Sequence, residues 1–159
     1  MQTREQRYAA RTMSRMEAVC GRPQAFQKQY GSLCHKLPVL ILSAGLAQAL
    51  AFLLARASSG PAAEGSRSGK EGVLTFPSAH HQLLVDLAWV LELPTSPGEG
   101  VMPASLLQQV QRASFLEYMR QTRLSLGALV WFKRFAQSLL QVEAADEAPE
   151  PSSAGGLHE

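Results

Sequence analysis

The chain has 159 residues, 46% hydrophobic and 18% charged, with 15 Lys+Arg against 13 Asp+Glu. That is enough for one ordinary core and too apolar for a wholly disordered chain. Two cysteines, Cys20 and Cys34, cannot build a disulfide framework, and the charged opening MQTREQRYAAR lacks an apolar run with a cleavage site, so a reduced, cytoplasmic setting is expected. The net charge of +2 hides a gradient. Glu143, Asp146, Glu147, Glu150 and Glu159 follow residue 142 and no Lys or Arg does, so residues 1–142 carry a net of +7.

In chain order, Thr3 with Gln6 three residues on reads as a weak capping box, opening a helix that Gly21 and Pro23 end. At about 100° per residue, Ala9, Met13, Met16 and Cys20 fall on one arc, the expected core face. Arg4, Arg7, Arg11 and Arg15 fall nearly opposite, an arginine stripe beside Tyr8 with only Glu5 and Glu17 as helical counter-charges.

Phe26, Tyr30, Leu33 and Leu37 mark a helical face in residues 24–44, within which Pro38 either kinks the helix or starts a new one. Beyond Gly45, Leu46, Ala49, Leu50, Leu53 and Leu54 predict a short helix apolar nearly all round, hence buried. The stretch 37–55 is uncharged over nineteen residues, a length that could span a bilayer. Pro38, Ser43, Gly45, Gln48 and five alanines dilute it, which favours a buried helix pair in a soluble bundle.

Residues 57–75 turn rich in Gly and Ser and predict a flexible loop. The apolar pattern resumes from Phe76 or Ser78 to Leu93 as a third amphipathic helix, with Leu83, Leu84, Leu87, Val90 and Leu91 as its stripe. A Pro/Gly-rich loop over 94–103 precedes a short helix that ends before Ser114. Ser114 and Glu117 then form a capping-box pattern opening the longest helix, expected to reach about Val142. Its predicted core face is Phe115, Tyr118, Met119, Leu126, Leu129, Phe132, Ala136 and Leu140; Arg120, Arg123 and Arg134 cluster elsewhere, with Trp131 beside them. No strand pattern persists. The expected fold is all-α, a compact bundle of about six helices forming one domain over 1–142, with a disordered acidic tail over 143–159.

Catalytic chemistry is hard to assemble. Cys34 and His35 are adjacent and point about 100° apart on a helix, as do His80 and His81, and no zinc spacing occurs. The helical acids Glu5, Glu17, Asp86, Glu92 and Glu117 are scattered, and no phosphate-cradling glycine motif is present. The expectation is therefore no catalytic residue, no metal and no cofactor.

The basic surface remains. Residues 1–36 hold seven basic and two acidic groups, and 103–142 hold five and one. If the first and last helices lie side by side, their stripes merge into a positive band near Tyr8 and Trp131, the footprint of a protein tracking a phosphate backbone. Either stripe alone also reads as an ordinary solvated face. Arginine outnumbers lysine eleven to four, and its planar fork suits phosphate oxygens.

Three blocks, MQTREQRYAAR, YGSLCHKLPVLILSAGLAQALAFLLA and EYMRQTRLSLGALVWFKRFAQSLL, resemble the family of the small α-helical subunit of the Cmr complex, the type III-B CRISPR effector, the fifth protein of the Cmr module. The specific features are Tyr30-Gly31-Ser32-Leu33 with Lys36-Leu37-Pro38, then Gly45-Leu46-Ala47-Gln48, then Trp131 through Ala136. The resemblance implies a non-enzymatic helical subunit. Its copies would stack as a minor filament beside other Cmr subunits, their basic faces lining the channel for crRNA and target RNA. Carried onto this chain, it implies phosphate contacts by Arg4, Arg7, Arg11, Lys36, Arg123, Lys133 and Arg134, followed by Arg15 and Arg120. The loop at 57–75 and the acidic tail fall between or beyond the matching blocks. A helical scaffold that binds neighbouring proteins with incidental RNA contact is the alternative.

Overall fold

The computed structural model describes residues 1–58, 77–93 and 102–144. The predicted loop at 57–75, most of the loop at 94–103 and all but the start of the acidic tail lie outside these residues, although Ala57 and Ser58 are helical. Six helices and no strand occur among the described residues: α1 Arg4–Cys20, α2 Gln24–Ala44, α3 Leu46–Ser58, α4 Ala79–Val90, α5 Ser105–Arg112 and α6 Phe115–Ser138. The fold is all-α, as expected.

The helix starts follow local chemistry. Thr3 Oγ1 accepts from the Gln6 amide at 3.2 Å while Gln6 Oε1 accepts from the Thr3 amide at 2.8 Å, a complete capping box. Ser78 and Ser114 accept from the amides of His81 and Glu117. Pro38 sits inside a continuous α2, so the helix neither stops nor restarts there. Gly45 ends α2 at φ +91°, a backbone region that favours glycine, and α3 begins at the next residue. The apolar run 37–55 is thus divided, and no helix among the described residues is long and apolar enough to cross a membrane.

Packing centres on α4, which touches α1, α2, α3, α5 and α6. It is buried on most sides, through Ala79, Leu83, Leu84, Asp86, Leu87, Ala88 and Val90, rather than amphipathic. Tyr30, Leu37, Leu50, Leu129 and Phe132 pack in the same core. The helix pair over 37–55 is only half buried: Val39 and Leu42 keep 65% and 75% of their surface, and Phe52 is also exposed.

Two predicted faces are rotated. On α1 the buried residues are Tyr8, Thr12, Met16 and Val19, whereas Met13 and Cys20 are exposed. This helix contacts both α6 and α4, and the direction of those neighbours puts the buried arc beside the arginines instead of opposite them. On α6 the core face is Gln121, Ser125, Ala128, Leu129, Phe132 and Ala136, while Phe115 and Met119 in its first turns are exposed. Helix α6 also stops at Ser138, short of Val142, and Gln141 turns the chain at φ +56°. Val142 then packs on Gly31 of α2, and its carbonyl lies 2.8 Å from His35 Nε2.

Candidate nucleic-acid interface

Helices α1 and α6 lie against each other, and a groove of about 710 Å³ runs along their junction. Its basic lining is Arg4 from α1 with Arg120, Arg123 and Arg134 from α6. The α6 set follows from spacing, since positions 120, 123, 127, 131 and 134 are three or four apart and form one helical stripe. Gly127 leaves the middle of that stripe open, because a Cβ there would meet nothing within 4 Å. Tyr8 and Trp131 border the groove, and Phe115, Leu116, Met119 and Val130 add an apolar margin.

Among the described residues no carboxylate pairs with Arg4, Arg123 or Arg134, while Arg120 meets Glu117 at 3.1 Å. The Arg134 guanidinium lies 5.2 Å from the Trp131 ring centroid, and Trp131 packs against Phe135 at 5.9 Å. Burial pushes the Tyr8 phenol above its usual pKa, against the opposing charge of Arg4, so Tyr8 is a neutral donor at the groove edge.

The rest of the first stripe faces α4. Arg7 and Arg11 meet Glu92 at 3.2 and 3.5 Å, and Arg15 lies 3.7 Å from Asp86. The guanidiniums of Arg11 and Arg15 both lie over the Trp89 ring, 3.9 and 4.0 Å from its centroid, and Arg11 donates to the Trp89 carbonyl. Asp86 and Trp89 on α4, with Glu92 in the turn just beyond its end, stand three residues apart and face the four-residue ladder of arginines on α1. Only Arg4 of the first stripe joins the groove.

A family model described as CRISPR-associated protein (Cas_Cmr5) matches residues 4–139. This chain belongs to the Cmr5 family. A Cmr5 relative from Thermus thermophilus, described as CRISPR system Cmr subunit Cmr5, is 36% identical over 142 residues, which cover 89% of this chain and 99% of the relative. The crystal structure of a CRISPR-associated Cmr5 family protein from the same species superposes with a TM-score of 0.65 at 33% identity, covering 89% of this chain and all of that one. The family match runs from α1 through α6 and includes all four groove arginines; it ends before the acidic residues that begin at Glu143.

Besides Arg7, Arg11 and Arg15, two further sequence-derived phosphate candidates lie outside the groove of this Cmr5 chain. Lys133 is exposed on α6 about 100° round from Arg134. Lys36 is on α2 near His80, whose pKa is lowered by burial and then by the charges of Arg56 and Lys36. Sequence reasoning passed over Trp89 as the platform for the first stripe; its signal was the three-residue spacing of Asp86, Trp89 and Glu92.

The Cys34 and His35 side chains also diverge. Cys34 is buried and its thiol is pushed well above the usual pKa, by burial first and by the charge of Asp86 second, which disfavours a thiolate. His35 is turned to the Val142 carbonyl. No group of three or more His, Cys, Asp or Glu among the described residues could hold a metal ion.

Proposed function

We propose that this chain is a non-catalytic small subunit of a Cmr complex, a type III-B CRISPR RNA-guided, RNA-targeting assembly of antiviral defence, and that its α1–α6 groove holds RNA by the backbone. Residues 1–142 act as one helical domain in the cytoplasm. Several copies stack beside the other Cmr subunits along crRNA and target RNA. The observation that carries this reading is the convergence of Arg4, Arg120, Arg123 and Arg134 on one open groove in a Cmr5-family chain. Guanidinium forks grip phosphate oxygens without reading bases, and sequence selection falls to guide pairing. Repetition along a filament multiplies a weak single-copy affinity.

The test is an assembled, guide-loaded complex carrying Arg4→Glu, Arg123→Glu and Arg134→Glu. Crosslinks from α1 and α6 to RNA and target retention should both fall. Unchanged retention by a normally assembled complex overturns the reading.

One observation favours a scaffold role for the same face. Phe115 and Leu116 at the groove mouth keep 76% and 79% of their surface, which suits cover by a neighbouring protein. Phe115→Ser with Leu116→Ser would then block assembly, whereas an RNA-holding groove leaves assembly intact and responds to the arginines.

A further inference from the structure

Tyr8 is only 7% exposed, with its ring packed in the core, yet it borders the groove between α1 and α6. Its hydroxyl is open to solvent and takes no hydrogen bond among the described residues. A ring fixed by packing leaves that hydroxyl little freedom, so it is held at one place. Arg4 stands one turn before Tyr8 on α1, and the charges of Arg4 and of Arg120 on α6 both reach the phenol. These cations work against burial, which still keeps the phenol protonated. The groove therefore offers charged forks and, set among them, one neutral hydroxyl with nothing to bond.

We propose that Tyr8 reads the sugar: its phenol donates a hydrogen bond to the oxygen of one ribose 2′-hydroxyl while Arg4 and Arg120 hold flanking phosphates, so that the groove prefers RNA to DNA. This assignment deepens the RNA reading above and rests on it. The three parts of a nucleotide make different demands. Phosphate oxygens are anionic, and the guanidinium forks nearby satisfy them better than a neutral phenol does. Base edges are read by paired donors and acceptors, and a single hydroxyl gives no such match. The 2′-hydroxyl sits on the carbon next to the one that carries the 3′-phosphate, so a group beside a phosphate-holding arginine meets it first. Its presence is what distinguishes RNA from DNA at a given site. On DNA the strand would cover the Tyr8 hydroxyl without giving it a partner, which costs affinity.

The experiment titrates the full-length chain and its Tyr8→Phe variant at low salt with three single strands of equal length. These are oligouridylate, its 2′-deoxy form and its 2′-fluoro form, which keeps a ribose-like pucker without the hydroxyl. Amide chemical shifts of the isotope-labelled protein at Arg4, Arg120 and Arg123 report binding even when it is weak. Wild type should bind oligouridylate about three- to tenfold more tightly than either analogue, the range of one hydrogen bond. Tyr8→Phe should lose that margin. The thermal midpoint should not fall, because the hydroxyl removed has no internal partner; a fall would mean that it is spent inside the fold, which overturns the proposal. Equal binding of the three strands by wild type overturns it whatever the variant does. A margin that survives in Tyr8→Phe overturns it too, as does a loss shared equally by all three strands, the mark of a phosphate contact. Each of these results leaves the RNA reading standing. No binding of any strand by wild type overturns the RNA reading, and the sugar contact with it.

Discussion

The phenol of Tyr30 on α2 donates a 2.7 Å hydrogen bond to Oδ2 of Asp86 on α4, and neither residue exposes any surface. Gln82 Nε2 donates to the other carboxylate oxygen at 2.8 Å, and Arg15 of α1 stands 3.7 Å from it. A single buried carboxyl therefore ties three helices together. Burial pushes its pKa up, and the Tyr30 and Gln82 bonds with the Arg15 charge recover only part of that shift.

Tyr30→Phe removes one donor from a buried acceptor and should cost about 1–3 kcal/mol in urea unfolding at neutral pH. The pH dependence has a definite sign. Because the folded-state pKa of Asp86 is raised, the fold binds that proton more tightly than the unfolded chain; the associated stability is fully present below the unfolded carboxylate pKa and is lost as pH rises through the folded one. Removing the Tyr30 bond raises the Asp86 pKa further, so the decline in the variant extends to higher pH. Asp86→Asn should flatten this segment of the profile. Urea midpoints measured from acid to neutral pH check both, and an unchanged profile in both variants would remove Asp86 as its source.

The two arginine groups separate stability from binding. Arg15→Ala removes a cation from Trp89 and from buried Asp86, and should lower stability by about 1–3 kcal/mol. Arg123→Ala, on the groove and exposed, should stay within about 0.5 kcal/mol of wild type. Thermal midpoints of the two variants provide the comparison.

RNA affinity measured against salt should order the arginines the other way. Each groove arginine that neutralises a phosphate contributes about 0.7 to the logarithmic salt slope on single strands, and replacing it by alanine should flatten the slope by that amount. Lys36→Ala and Lys133→Ala, on other faces, should change the slope less than Arg4→Ala, Arg123→Ala or Arg134→Ala. Titration of single-stranded RNA at several salt concentrations reads this directly.

At Gly31 the constraint is space. A Cβ there would stand 2.7 Å from Val142 Cβ and 2.8 Å from its Cγ2. Gly31→Ala should displace the segment after α6, break the contact between His35 and the Val142 carbonyl, and cost about 1–3 kcal/mol. Val142→Gly in the same chain, which removes the Cβ as well as both methyls, should recover part of the loss. No recovery would mean that the clash is not the cause.

Helix starts were legible because a cap is settled between residues three apart: Thr3 with Gln6, and Ser114 with Glu117, needed nothing distant. The blocks 30–38, 45–48 and 131–136 carried the family in the same way, as short strings of adjacent residues. What escaped was orientation. The direction that α1 turns is decided by Trp89 and Glu92, some eighty positions away, which draw Arg7, Arg11 and Arg15 toward α4 through guanidinium contacts while their stems cover apolar surface. Phe115 and Met119 fit the apolar periodicity of α6 yet face outward, because among the described residues no helix covers its first turns on that side. The groove was half legible: the α6 stripe was read from spacing, and its meeting with Arg4 required α1 and α6 to be neighbours.

That neighbourhood links the first helix among the described residues to the last. Helices α1 and α2 both pack on α6, so Met16, Val19 and Leu37 lack their full cover until Phe132 and Leu129 have been synthesised. At ribosomal speeds the delay is on the order of ten seconds. During it the nascent chain presents amphipathic helices with uncovered apolar faces, and closing the gap carries the entropy cost of a long loop. Helix α6 thus acts as a clasp, and closure of the core over α1 and α2 waits on residues made long after them.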